Sequence, residues 1–322
     1  MPELPEISLY VDAIAARVRG QRLERLRIRS PSFLHTYDPP AKTLEGLAVE
    51  DVRRLGKRIV LAFEDDLFAV IHLMITGRFQ WRAPDAKIHR KTGHAAFDFE
   101  SGALLVTEQG TKKRATLHVL RGEAGLAAHH RGGVEPMEVS LDEFKEALGR
   151  ENRTLKRALT DPRLISGIGN AHSDEILLEA RLSPLKLTSK LDESEIERLH
   201  AVTQSSLARW TAILREEWKD RFPSKVTAFH PKMAAHGRYG HPCPQCGSPI
   251  QRIVYAARET NYCPTCQTGG KLLADRAISR LLRQDWPRTL EELEQHVEER
   301  TVRRGASGGA REDTGSTDDV ER

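Results

Sequence analysis

CPQCGSPIQRIVYAARETNYCPTC, running from Cys243 to Cys266, holds all four cysteines of the chain. They form two pairs, Cys243–Cys246 and Cys263–Cys266, each bracketing two residues, with sixteen residues between the pairs. That gap falls inside the C-x2-C-x15–20-C-x2-C window for zinc. Two such turns, each presenting two thiolates, can close a tetrahedron around one Zn2+. A closed four-cysteine site leaves no coordination position open, so the ion is expected to be structural. The stretch between the pairs alternates enough for a β-hairpin, and a hairpin held by the metal would present Arg258 rigidly to a ligand. Disulfides and a redox pair are the competing readings. The MPELPE start is acidic and proline-rich, unlike a secretion signal, and a redox role does not require two linked pairs.

Upstream lies DPRLISGIGNAHSDEILLEA, Asp161 to Ala180. A helix is expected to end near Leu164, Gly167 and Gly169 to make tight turns, and a second helix to start near Asn170. Such a turn offers backbone N–H groups and a positive helix end to a phosphate. Alone, the pattern reads as an ordinary helical corner whose glycines satisfy sterics. The nearby Arg153, Lys156, Arg157 and Arg163 make the phosphate cradle a competing reading. Leu141 to Arg221 as a whole reads as mostly helical, and Phe222 to Gly240 as a loop.

At the other end of the chain, Ile7, Tyr10, Val11, Ile14 and Val18 form one apolar stripe at helical spacing, predicting a helix over Pro5–Arg19. Pro5 suits its first turn, Glu3 and Glu6 its dipole, and Gly20 its C-terminal cap. From about Arg22 to Leu120 the pattern shifts to short β-rich runs, among them RLRIR, RIVLAF, LFAVIHLM, AAFDFE and ALLVTEQ, separated by turn signals. Several such strands predict a sandwich or barrel. Leu272–Leu282 and Leu290–Val297 read as two short helices. Beyond Thr301, Gly, Ser, Thr and Asp dominate, as in a disordered tail.

The chain has 322 residues, 30% charged and 39% hydrophobic, with a net charge of +4, enough for two or more domains of a soluble protein. Its last twelve residues carry five acids and two arginines, so the body without them carries +7. A basic body with an acidic tail fits a nucleic-acid binder, though many basic proteins bind none. No apolar run reaches the length of a membrane span. No membrane partner and a cytoplasmic, nucleoid-associated location are therefore expected, and a monomer is the simplest reading.

MPELPE at the N-terminus, RRLGKR around Lys57, GIGN before an acidic helix, and the four-cysteine finger occur here in one order. That ordered set resembles the formamidopyrimidine-DNA glycosylase/endonuclease VIII family over about Met1 to Gln267. The resemblance implies an α+β multidomain fold: an N-terminal helix on a β-sandwich (1–135), a helix–two-turn–helix domain with a loop (136–235) and a zinc finger (236–270). A short helical extension (271–300) and the tail (301–322) would follow. Damaged double-stranded DNA would lie in the cleft. It also implies base excision repair by a bifunctional glycosylase and lyase. Once Met1 is removed, the Pro2 amine would attack C1′ and form a Schiff base; an α-amine has a pKa of about 8, so a neutral fraction exists near pH 7. The imine would then permit β,δ-elimination. Glu3 matches the general acid–base carboxylate and Glu6 a second carboxylate near the pocket. Lys57, His72, Asn170 and Arg258 match residues holding phosphates around the flipped-out nucleotide.

Each assignment has a plainer rival. Glu3 and Glu6 suit a helix N-terminus, Lys57 suits a solvated basic run, and His72 suits a satisfied core histidine. Two features depart from the family pattern. The strand motif is usually His-Leu-Gly-Met-(Ser/Thr)-Gly, with Met filling the gap left by the extruded base. Here it reads His72-Leu73-Met74-Ile75-Thr76-Gly77, so Ile75 takes the Met position. The usual Arg-x-Phe wedge is replaced by EQGTKKRATL, where Lys112, Lys113 and Arg114 are basic and no aromatic occurs. A lyase-only or non-catalytic damaged-DNA binder with the same fold is therefore the alternative, and the lesion is left open.

Overall fold

The computed structural model describes residues 1–255, 258–273, 287–293 and 295. Helix α1 (Leu4–Val18) follows the expected stripe, with Ile7, Tyr10, Ile14 and Val18 fully buried. It starts one residue before Pro5, which sits in the first turn where a missing N–H costs nothing. Gly20, with φ +79°, follows its end.

Eight strands then build two four-stranded antiparallel sheets. They are β1 (Arg25–Ile28), β2 (Val49–Leu55), β3 (Arg58–Phe63), β4 (Leu67–His72), β5 (Gly77–Arg82), β6 (Gly93–Phe99), β7 (Gly102–Glu108) and β8 (Thr116–Arg121). One sheet has the order β1-β6-β7-β5 and the other β2-β3-β4-β8. Ile59, Leu61 and Phe63 of β3 and Ala69 and Ile71 of β4 face a core shared with α1 and the other sheet. Val60, Ala62, Phe68 and Val70 face outward but are covered by Leu126 of α2 (Gly122–Ala127). Burial on both faces explains why RIVLAF and LFAVIH are continuous apolar runs rather than alternating ones.

The second half is helical: α3 (Leu141–Gly149), α4 (Leu155–Thr160), α5 (Asn170–Glu179) and α6 (Glu193–Trp218). Helix α4 ends at Thr160, four residues before the expected end near Leu164. Pro162 explains the early stop, because a residue before proline avoids the helical region, and Asp161 is extended with ψ 114°. These helices share a separate core that includes Phe144, Leu155, Leu159, Ile176 and Leu199. Leu4 of α1 belongs to this core too, so the start of the chain is plugged into the helical domain. The Leu4 N–H donates to the Gly167 carbonyl at 3.0 Å.

Residues 222–240 lack regular structure, as expected. The hairpin β9 (Gln251–Tyr255) and β10 (Arg258–Tyr262) and the short α7 (Pro264–Thr268) complete the C-terminal module. Leu272 and Leu273 are not helical, whereas 290–293 are. The rest of the two expected late helices, the tail and the Arg258 side chain lie outside the described residues. Among the described residues no helix is long and apolar enough to cross a membrane.

Candidate active site

The N-terminus lies in a cleft of about 270 Å3 lined by residues of both halves, including Met1, Lys57, His72 and Gly167. Pro2 and Glu3 are buried. Burial pushes the terminal amine below its ordinary value near 8. Glu3 opposes that shift, while Arg78 and Lys57 add to it.

Glu3 precedes α1, yet its carboxylate belongs to another helix. It accepts the backbone N–H groups of Gly169 at 2.6 Å, Ala171 at 2.9 Å and His172 at 3.2 Å. These donors surround the start of α5, where unpaired N–H groups and the helix dipole favour an anion. The GIGN turn is therefore an anion cradle, but the anion it holds is Glu3. This corrects the phosphate reading of the turn. Gly169 is required by the close approach: a Cβ there would sit 2.5 Å from the Glu3 carboxylate. The neighbouring basic stretch is also largely spent on protein acids. Arg153 and Arg163 pair with Asp161, and Lys156 with Asp174.

Glu6 accepts the Glu3 N–H at 2.8 Å and meets His172 Nε2 at 3.0 Å. Both side chains are almost wholly buried. Burial alone would raise the Glu6 carboxyl, but the charge and hydrogen bond of His172 outweigh it and hold the group below its ordinary value. Burial alone would lower His172, but Glu6 outweighs it and raises the imidazole. The two form a buried ion pair between α1 and α5.

Helix α5 extends the same logic toward the C-terminal module. Asp174 accepts from Lys156 Nζ at 2.5 Å and Asn261 Nδ2 at 3.2 Å, and lies 2.8 Å from His236 Nδ1. Glu175 accepts the N–H groups of Ala234, Ala235 and His236 at 2.8–2.9 Å. Asn170, expected on a phosphate, donates its side-chain amide to the Glu259 carbonyl of β10 at 2.8 Å. Arg258 opens β10 opposite Tyr255.

On the sandwich side, Lys57 sits in the β2–β3 turn and His72 ends β4, opposite Arg58. His72 is half-buried in the cleft rather than in the core. Burial, with Arg58, Lys57 and Arg131 behind it, pushes its imidazole down to about 4.

The four cysteine sulfurs lie within 4.8 Å of one another. Cys243 and Cys266 Sγ are 4.0 Å apart, and Cys246 and Cys263 Sγ 3.4 Å. A tetrahedral ion with metal–sulfur bonds of about 2.3 Å needs edges of roughly 3.8 Å, so the set fits one structural metal ion.

Comparison with known proteins matches three family descriptions in the same order. The formamidopyrimidine-DNA glycosylase N-terminal domain matches residues 1–114 and its H2TH domain residues 133–217. The zinc finger found in FPG and IleRS matches residues 240–269. The formamidopyrimidine-DNA glycosylase of Heliobacterium modesticaldum is 31% identical, covering 83% of this chain and all of its own. That of Herpetosiphon aurantiacus is 30% identical with the same coverage. The chain belongs to the formamidopyrimidine-DNA glycosylase/endonuclease VIII family. Among solved structures of the family, Fpg of Lactococcus lactis in complex with abasic-site DNA has TM-score 0.73 and 27% identity. The match covers 83% of this chain and 99% of that one. The same enzyme with DNA containing N7-benzyl-Fapy-dG has TM-score 0.74 and 26% identity, covering 83% and 100%.

Against the family pattern, the two departing segments lie side by side. Ile75 is 52% exposed at the β4–β5 turn, beside Met74 with φ +54°. The Glu108 carboxylate accepts the N–H groups of Arg114 at 2.9 Å and Ala115 at 3.2 Å and meets His94 Nε2 at 2.9 Å. It thus closes the loop carrying Lys112, Lys113 and Arg114. Lys113 Nζ turns back to the Glu108 carbonyl, leaving Lys112 and Arg114 exposed. Thr76 Oγ1 accepts from Gly110 N–H at 3.3 Å, tying this loop to the Ile75 turn.

Sequence reasoning missed His172, Asp174 and Glu175, which hold the site together from α5. The available signal was four polar residues, HSDE, directly after a glycine turn, on a helix flanked by apolar residues on both sides. It also passed over Arg58, His129 and Arg131 on the cleft wall.

Proposed function

We propose that this protein is a DNA glycosylase of base excision repair that also cleaves the strand, with the Pro2 amine as nucleophile. The observation that carries this reading is the N-terminus itself, held in the cleft between Lys57 and the Glu3-capped helix. With Met1 removed, Pro2 presents a secondary α-amine, whose ordinary value near 8 leaves a neutral fraction at physiological pH. Its lone pair attacks C1′ of the damaged nucleotide, and the base leaves with the glycosidic electrons. The amine then loses its proton and its lone pair expels O4′, which takes up a proton as the C1′–O4′ bond breaks and the sugar ring opens. The resulting iminium accepts electrons when the 2′ proton is removed, so the 3′ phosphate leaves, then the 5′ phosphate. Glu3 Oε1 accepts the Ala171 N–H, and on this reading the carboxylate exchanges a proton with the sugar oxygen. Lys57 and His72 line the same cleft and serve as phosphate partners on this reading, as do Asn170 at the start of α5 and Arg258. Ile75, Lys112, Lys113 and Arg114 would meet the gap and the opposite strand. The metal of the four-cysteine module is zinc on this reading and structural, since the four thiolates leave no open position.

A lyase without base selection is the second reading. It is favoured by the loop at 109–114, which offers no aromatic wedge. Borohydride trapping on an abasic duplex tests the nucleophile: a covalent adduct at Pro2 is expected, and tight binding without an adduct would sink the mechanism. An intact mass that retains Met1 would sink it as well. Base release from duplexes carrying 8-oxoguanine, formamidopyrimidine or oxidised pyrimidines separates the two readings. Cleavage confined to abasic sites would favour the lyase alone.

A further inference from the structure

The cleft is charged on one wall only. Thr160, Pro162, Ser166 and Gly167 line the helical wall and carry no charge. The sandwich wall carries Arg58, His129, His130 and Arg131 in addition to Lys57 and His72. Arg58 Nη1 donates to the His129 carbonyl at 3.3 Å, which fixes the 129–131 loop against the start of β3. Among the described residues, none of Arg58, His129, His130 and Arg131 forms an ion pair with a carboxylate. The contrast with the preceding strand is direct: Arg53 pairs with Glu123 and Arg54 with Glu135. Behind the loop the imidazoles crowd together. The His118 and His129 rings meet edge-on at 4.7 Å and His35 lies 5.3 Å from His118. His118 Nδ1 is buried without a hydrogen-bond partner.

Two guanidinium groups, Arg58 and Arg131, brought together with no carboxylate paired to either among the described residues are costly to a folded protein unless an anion completes them. Arg58 shows that cost: burial and then the nearby Arg131 pull its guanidinium below its ordinary value. His129 is lowered by burial, Arg58 and Arg131. The ligand must be anionic, oxygen-rich and able to take a guanidinium fork, which describes a phosphate group.

We infer that Arg58, His129 and Arg131 form an additional phosphate subsite that extends the grip on the DNA strand beyond Lys57 and His72. This rests on the DNA-binding reading above but not on the Pro2 chemistry. The phosphate is a diester of the intact strand or a terminal monoester left after cleavage.

The test measures affinity against salt for wild type, Arg131→Gln, Arg58→Gln/Arg131→Gln and Arg131→Lys. One probe is a duplex with an uncleavable abasic analogue; the others are gapped duplexes ending in phosphate or in hydroxyl. Each neutralised contact should reduce the slope of log K against log salt by about 0.9, while Arg131→Lys keeps it. A reduced slope on the intact duplex assigns a diester. A reduced slope confined to the phosphate-ended gap assigns a terminal phosphate. Unchanged slopes on every probe, in variants with unaltered melting, would overturn the subsite. Borohydride adduct formation by the wild-type protein is measured alongside, and its absence would count against the Pro2 mechanism while leaving the slope result intact.

Discussion

Replacing His172 by Leu should destabilise the protein severely, because it strands a buried charge. Glu6 would keep backbone N–H partners, Glu3 at 2.8 Å among them, but no countercharge, in a site almost closed to water. Breaking a buried ion pair by removing one member costs about 3–5 kcal/mol, and for a chain of this size that lowers the melting temperature by roughly 4–7 °C. Glu6→Gln should cost less, since it removes the charge. The double variant Glu6→Gln/His172→Leu should be more stable than the sum of the two losses predicts, by more than about 1 kcal/mol. The pair also sets a pH window. Glu6 is depressed in the folded state, so its contribution is lost as pH falls through its folded value. His172 is raised, so its contribution is lost as pH rises through its folded value. The gap between wild type and His172→Leu should therefore be widest near neutrality and narrow on both sides. Thermal and denaturant unfolding of the four proteins across pH measures both effects. Additive losses within about 0.5 kcal/mol, or a gap flat with pH, would refute the ion pair.

Gly169→Ala should cut the rate of borohydride adduct formation by about tenfold or more while leaving metal content unchanged, because the new Cβ would displace the Glu3 carboxylate it meets at 2.5 Å; a wild-type rate would show that Glu3 need not sit there. His72 and His118 are both held at about 4 when folded, burial being the main cause. The unfolded chain therefore binds more protons between about pH 4 and 6.5, and stability should rise with pH across that window by at most about 1.4 kcal/mol per unit for each histidine. The double variant His72→Gln/His118→Gln should flatten that rise, and an unchanged profile would assign it to other groups. Removing the metal with a chelator should weaken DNA binding while leaving the sandwich folded. Full metal removal with unchanged affinity would refute a structural role for the finger.

Much of this architecture was legible because it is written in apolar periodicity or in metal-ligand spacing. The stripe from Ile7 to Val18 gave α1 to within a residue, the alternation between the cysteine pairs gave the hairpin, and the β-rich runs became two facing sheets. Helix α5 was legible only at its start. The sequence marks only an acidic helix there, yet His172, Ser173, Asp174 and Glu175 are all buried. Periodicity registers burial only when burial is apolar, and here His172, Asp174 and Glu175 take partners far away in sequence: Glu6 and Glu3 from the start of the chain, Ala234 to His236 from the loop, and Asn261 from the finger, while Ser173 bonds back to the Gly169 carbonyl. The anion at the GIGN turn shows the same limit. Local physics correctly demanded a negative charge at the helix start, but no local signal named a carboxylate 166 positions away. That distance has a functional consequence. Glu3 sits next to the proposed nucleophile and is positioned by α5, and α5 is in turn braced by the finger through Asp174 and Asn170. The geometry around Pro2 is therefore complete only when sandwich, helices and finger are docked, so damage to the finger's anchoring on α5 should be felt at the N-terminal amine as well as in the grip on DNA.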